Sequence, residues 1–261
     1  GLSGEAHCRA HIGLPGAQQR LLEAVAGTGT PVTAVVMAGR PLVLGPVAEK
    51  AGAVLLAWHP GSMGGIAIAD ILFGEEPGGR LPMSLPRSVG QVPVYYNHKS
   101  TGRPPSPDAP SIPSGTPLDP RGFVAAYLDE DHRPLYPFGH GLGYTEFAYS
   151  EVELSAATMP ADGSLTASVL LTNTGGKTGQ EVVQMYVRDL VGSVTRPVRE
   201  LKGFRQVCLA PGESRRVEFT LAARDLAFCG LDYRQSVEPG EFRLWIGPNA
   251  AEGPSAVFEV A

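Results

Sequence analysis

A carboxylate, two imidazoles and a thiol crowd the first eleven residues, as Glu5, His7, His11 and Cys8, with Arg9 among them. The i, i+4 spacing of His7 and His11 would put both rings on one face of a helix, where they could hold zinc. The stretch precedes Pro15, shows no helical apolar stripe and lacks the acidic residue of an H-E-x-x-H site, so exposed loop histidines are the default. Glu5, in Ser3-Gly-Glu-Ala-His-Cys-Arg9, reads by type and setting as a solvated surface charge that Arg9 orients or pairs with. Nothing in composition or spacing promotes it further. A second cluster, Pro60-Gly-Ser-Met-Gly64, misses the G-x-S-x-G nucleophile elbow because Pro60 stands at the first glycine. Ser62 falls between a strand-like and a helix-like stretch, as an elbow serine must, but no accompanying His and acid are singled out. The same turn lacks the Walker lysine and the G-x-G-x-x-G spacing of a phosphate cradle. Gly61, Gly64 and Gly65 are therefore read as permitting a tight turn and close helix–sheet packing. Cys8, Cys208 and Cys229 have no metal-ligand spacing; a Cys208–Cys229 bridge is open to an exported chain, and free thiols are the default.

The elements that must position these residues fall into two patterns. Ala17–Ala26 has apolar residues at helical spacing between Pro15-Gly16 and Gly27. Val32–Met37 and Ala53–Trp58 are short aliphatic runs of the buried-strand kind; Pro46–Ala51 forms a short helix, and Gly64–Phe73 an amphipathic one. Strands alternating with helices imply crossover connections and a mostly parallel sheet covered on both faces. Only two or three such units are present, thin for a complete doubly wound domain, as if an N-terminal portion were missing. Residues 99–122 are rich in Pro, Ser and Gly, which excludes a helix or a central strand and leaves either a surface linker or a long loop across a site.

From Tyr149 the pattern is all-β. Seven alternating runs, Tyr149–Leu154, Leu165–Thr172, Glu181–Val187, Arg199–Val207, Arg215–Leu221, Phe242–Ile246 and Ala256–Val260, are separated by turn signals such as Asp162-Gly163 and Pro211-Gly212. That describes a two-sheet sandwich of immunoglobulin or fibronectin type III kind. Trp58 and Trp245 both fall in predicted strands and read as core. The expected fold class is α/β plus all-β: a partial α/β sandwich over 1–98, a Pro-rich loop and linker over 99–148, and a β-sandwich over 149–261.

Composition excludes several functions. In 261 residues, 43% apolar and 18% charged, a real core is available. The net charge of −5 lacks a nucleic-acid footprint, and no apolar run approaches the ~18–20 residues that cross a bilayer. The chain opens at Gly1-Leu2-Ser3-Gly4 without Met or signal peptide, as a mature terminus or a fragment boundary would.

Whole segments then become recognisable. Ile12-Gly-Leu-Pro15, Gly39-Arg-Pro41, the run from Trp58 to Gly74, the run from Pro77 to Asn97 and Thr101-Gly-Arg-Pro104 resemble the second domain of glycoside hydrolase family 3. Tyr136-Pro-Phe-Gly-His-Gly-Leu-Gly-Tyr-Thr145 resembles the signature at the entry to that family's third domain. Asn173-Thr-Gly175, Val183-Gln-Met-Tyr186, Leu201-Lys-Gly-Phe204 and Pro239-Gly-Glu-Phe242 resemble its fibronectin type III-like domain. The resemblance runs along nearly the whole chain in order, and is strongest to periplasmic β-glucosidases of Gram-negative bacteria. It implies a periplasmic or secreted enzyme of a barrel, an α/β sandwich and a fibronectin-like module. Its retaining hydrolysis uses an Asp nucleophile on the barrel and an acid/base Glu on a second-domain loop. Gly4-Glu-Ala-His-Cys-Arg9 matches the loop pattern G-E-A-S-S-R, which makes Glu5 the candidate acid/base and leaves Arg9 to hold the loop.

The same resemblance implies no metal or organic cofactor. Expected partners are a β-glucoside or short β-gluco-oligosaccharide and the enzyme's own barrel portion, with no nucleic acid and no membrane; a homodimer is admitted. The loop 97–122 is expected to line the outer sugar subsite, with Tyr95, Tyr96 and Arg103 within reach. Departures are His7 and Cys8 where small hydroxyl residues are common, Gly143 where Ser is usual, and Cys229 where an aromatic is expected. A second reading, a non-catalytic carbohydrate-binding or interaction module, lacks an aromatic platform in the sequence.

Overall fold

The computed structural model describes residues 6–105 and 124–261. The chain forms two compact units. One comprises residues 1–75, 83–94 and 105–136, the other residues 76–82, 95–104 and 137–261.

The first unit carries α1 (Gln18–Ala26), β1 (Thr33–Val36), α2 (Gly45–Ala48), β2 (Ala53–Leu56) and α3 (Gly64–Leu72). Each falls where its local pattern places it. The Gly27 N–H closes α1 onto the Glu23 carbonyl, Pro46 occupies the first turn of α2 where its missing N–H costs nothing, and Gly74 with φ +119 follows α3. β1 and β2 pair in parallel from Thr33↔Ala53 to Val36↔Leu56. Parallel pairing goes no further in this unit: its described sheet has two strands. Of the expected mostly parallel, doubly covered sheet, the described residues of this unit show one parallel pair. Its cover is thin: α1 buries none of its residues, and Met37, just past β1, is 66% exposed. Trp58 does not extend β2; it stands beyond its end, half-buried, with φ +50. The buried apolar residues here are few, among them Val36, Leu44, Val47 and Leu85. Leu85 bridges to Tyr136, and buried Gln91 donates to the carbonyls of Asp131 and Arg133 while accepting from the Arg87 N–H.

The second unit is a β-sandwich of β3 (Phe147–Tyr149), β4 (Glu153–Leu154), β5 (Thr158–Met159), β6 (Ser164–Asn173), β7 (Gly179–Asp189), β8 (Glu200–Leu209), β9 (Ser214–Ala222), β10 (Phe228–Cys229), β11 (Gln235–Ser236), β12 (Gly240–Gly247) and β13 (Ser255–Val260). One sheet runs β5-β13-β12-β7-β8; in the other, β6 pairs with β3, β4 and β9; β10 and β11 form a separate hairpin. Pairing is antiparallel except between β13 and β5. All seven predicted runs are present. The first is divided into β3 and β4 where the Ser150 hydroxyl accepts the Leu170 N–H at 2.8 Å, a bond made by side chain in place of ladder. Alternation sends Leu165, Val169, Leu171, Val217 and Phe219 from one sheet against Val183, Met185, Leu244, Ile246 and Phe258 from the other. Trp245 belongs to β12 but is half-buried beneath the Arg199 guanidinium, 4.3 Å from its ring centroid, rather than in the core. Cys8, Cys208 and Cys229 are unpaired and exposed.

Candidate active site

Glu5 lies outside the described residues. The chain enters the described structure at Ala6 with φ 61, a left-handed conformation uncommon for a residue with a Cβ. The residues that follow are extended or bent, not helical, and His7, Cys8 and His11 are exposed. Arg40 holds this stretch. Its Nη1 donates to the Arg9 carbonyl at 3.2 Å and its Nη2 to the Cys8 sulfur at 3.3 Å. The hydrogen bond and charge of Arg40 hold the Cys8 thiol below its ordinary pKa. The Val43 N–H then donates to the Ile12 carbonyl at 2.9 Å, so residues 8–12 are pinned along residues 40–43 at both ends. Gly39 lets the Arg40 backbone pass the His59 ring, because a Cβ there would come within 2.5 Å of Nε2. Arg9 contributes its carbonyl to this arrangement. Ser62 is exposed in the turn before α3, where Gly61 takes φ +69 and Gly64 packs against the Pro60 ring.

The other sequence-predicted residues lie in the second unit. Tyr95 is 52% exposed and Arg103 is exposed. Tyr96, between them, is half-buried: its ring stacks on Phe138 at 4.4 Å and meets the edge of Tyr186 at 5.8 Å. Its hydroxyl accepts the Leu201 N–H at 3.3 Å. The structure brings Tyr95, Tyr96 and Arg103 onto one segment, residues 95–104. Residues 106–123, the centre of the Pro-rich stretch, lie outside the described residues.

Three residues that organise these segments were not singled out by sequence. Arg40 sits in a motif noted only for resemblance. Arg80 is buried beside Glu181, with 3.2 Å between Nη2 and Oε1 and side chains 7% and 8% exposed. Burial pushes the Glu181 carboxyl up and the guanidinium opposes it. Gln184, also buried, donates through Nε2 to the carbonyls of Gly139 and Pro248 and accepts at Oε1 from the Tyr186 hydroxyl at 2.6 Å. A buried polar residue flanked by apolar neighbours in a strand was the available signal for Gln184. Among the described residues, no group of three or more His, Cys, Asp and Glu side chains could hold a metal ion, and no helix is long and apolar enough to cross a membrane.

Comparison with known proteins gives a consistent result. Residues 2–144 match the glycosyl hydrolase family 3 C-terminal domain, and residues 181–250 match the fibronectin type III-like domain. The chain is 44% identical over its full length to a periplasmic β-glucosidase of Salmonella typhimurium, of which it covers 33%. It is 42% identical over 95% of its length to a β-xylosidase of Formosa agariphila, covering 32% of that protein. A β-glucosidase from Listeria innocua, solved in complex with glucose, superposes with a TM-score of 0.89 at 37% identity, covering all of this chain and 35% of its own. The chain thus spans about a third of the length of the relatives it matches.

Proposed function

Since the chain belongs to glycoside hydrolase family 3, we propose that it is the C-terminal third of a retaining exo-β-glucosidase. It supplies the acid/base carboxylate, Glu5, to an Asp nucleophile borne by a barrel portion of the same enzyme. The observation that carries this reading is full-length similarity to a periplasmic β-glucosidase of which the chain covers only 33%. Glu5 protonates the leaving oxygen in the first step and, as carboxylate, activates water in the second. Such a group must hold its proton near neutral pH, which a loop closing over a barrel mouth achieves by desolvation. The Arg40 clamp on Cys8 and Arg9 supports the reading, because it fixes the stem of the loop three residues from Glu5.

On this view residues 1–98 complete a mostly parallel α/β sandwich with strands from elsewhere in the enzyme, 99–148 link, and 149–261 form the fibronectin-like module. The outer sugar subsite lies within reach of Tyr95, Tyr96 and Arg103 on the segment 95–104, with exposed Tyr95 and Arg103 presented to the leaving sugar. The substrate is a terminal β-D-glucosyl residue of a short β-gluco-oligosaccharide, and the enzyme is exported to the periplasm or beyond. No cofactor enters the reaction. The choice between glucose and xylose is assigned on this reading to the barrel portion, since both β-glucosidases and a β-xylosidase are among the similar proteins.

In the intact enzyme, Glu5→Gln is expected to lower kcat on an unactivated disaccharide by about a thousandfold, the scale of a lost general acid. Unchanged turnover of that disaccharide would remove Glu5 from the mechanism.

A further inference from the structure

The fibronectin-like sandwich does more than accompany the segment that carries Tyr95 and Arg103. We propose that Tyr96 is a positioning residue through which the sandwich sets the placement of that segment and so tunes recognition of the leaving sugar. The inference rests on the reading that the outer subsite lies within reach of residues 95–104.

A side-chain hydrogen bond and a backbone bridge, of which the His98–Val198 bond is part, fasten the segment to the chain between β7 and β8 and to the start of β8. The Tyr96 hydroxyl accepts from Leu201 N at 3.3 Å, the His98 carbonyl accepts from Val198 N at 2.9 Å, and Lys99 forms an antiparallel bridge with Pro197. The receiving side is itself fixed. Arg196 bonds Glu200 at 3.0 Å, and the Arg199 guanidinium lies over the Trp245 ring, 4.3 Å from its centroid. Tyr96 is the deepest of the fasteners. Phe138 stacks on its ring, and the Tyr186 ring meets it in a T-shaped contact from β7, most of whose side chains are buried. Tyr186 in turn is bonded to Gln184, which holds the Gly139 turn just after Phe138.

Consequently Tyr95 is thrown outward by the burial of its neighbour. The bridge at Lys99 leaves four residues to Arg103, a reach of at most about 14 Å. A side chain tethered that closely inherits the position of its anchor. Small misplacements of binding groups are costly, on the order of a hundredfold per ångström in rate in the sharpest cases. The sandwich therefore acts on the substrate without touching it.

The test compares a β-linked disaccharide, which fills the outer subsite with a sugar, with an aryl β-glucoside, which does not. In the intact enzyme, Tyr96→Ala should raise the ratio of disaccharide KM to aryl-glucoside KM about tenfold, whereas Tyr96→Phe, which keeps the stacked ring, should stay within about threefold. Amide exchange at Val198 should accelerate in Tyr96→Ala, a readout of the fastening itself. If Tyr96→Ala does not fold, Tyr96→Leu, which keeps bulk without a flat ring or hydroxyl, carries the same expectation. Tyr95→Ala and Arg103→Ala test the underlying reading separately. If neither moves the KM ratio, the subsite reading falls and the inference with it. If they move it while the Tyr96 variants leave both the ratio and Val198 exchange unchanged, the positioning role alone is overturned.

Discussion

At the scale of single residues, the buried pair Arg80–Glu181 shows how charge is tolerated in the sandwich unit. Arg80 Nη2 meets Glu181 Oε1 and the Gln180 carbonyl, and Glu181 also accepts the Val182 N–H, so neither ion is left without hydrogen bonds. Removing one partner of such a pair strands the other. Arg80→Ala is expected to cost about 3 kcal/mol by chemical denaturation. The pH dependence follows from the sign of the Glu181 shift. Burial raises its folded-state pKa above the ordinary 4.5, so folding takes up a proton and stability falls as pH rises through the carboxylate range. Without Arg80 to oppose burial, the deficit of the variant should be smallest in acid, where Glu181 is protonated, and grow towards neutrality. A deficit independent of pH would mean that Glu181 gains solvent in the variant. Asp131 shifts the opposite way, to about 2, because Arg133 bonds its carboxylate.

At the scale of elements, the turn Pro137–His140 is closed by its own backbone, the His140 N–H donating to the Pro137 carbonyl at 3.1 Å, and is braced by the buried Gln184 side chain of β7. Gly139 takes φ +82, and a Cβ there would run into the Gln184 side-chain amide. Gly139→Ala therefore imposes backbone strain and displaces a buried amide that bonds the Gly139 and Pro248 carbonyls. The expected loss is about 2–4 kcal/mol, read as a lowered urea midpoint. Gln184→Leu should approach the same loss, since it orphans those carbonyls without straining the turn. Gly143 has a comparable reason for being glycine. The Glu76 carboxylate lies where its Cβ would be and accepts the Tyr144 N–H at 3.0 Å. Any side chain at Gly143 would therefore have to displace that carboxylate.

At the scale of the whole molecule, the two units differ in how well each buries its own elements. The sandwich closes a continuous core between two sheets. The α/β unit leaves Phe73 92% exposed, Leu21 and Ile66 mostly exposed, and its parallel sheet two strands wide. Parallel strands normally require cover on both faces, and isolated strand pairs are marginal in water. In the 261-residue chain by itself, amides of β1 and β2 should exchange orders of magnitude faster than those of β6 and β7. Equal protection in both units would show that the parallel pair is self-sufficient. Slowing of β1 and β2 in the intact enzyme is the further expectation of the proposed function.

Whatever local physics controls was legible in the chain. Aliphatic runs became β1 and β2, the helical stripe before Gly27 became α1, and alternation with Asp-Gly and Pro-Gly turns marked every long strand of the sandwich, because side-chain period and turn chemistry act over a few residues. The ordered motifs marked the family for the same reason, being contiguous. Which distant residues meet was settled by the fold alone. Arg40 grips Cys8 across 32 positions, Arg80 pairs with Glu181 across 101, and Tyr96 reaches Leu201 across 105. The division of Tyr149–Leu154 into two strands likewise depended on a hydroxyl meeting an amide twenty residues away. Such contacts are set by loop closure and burial over the whole fold, and no local period encodes them.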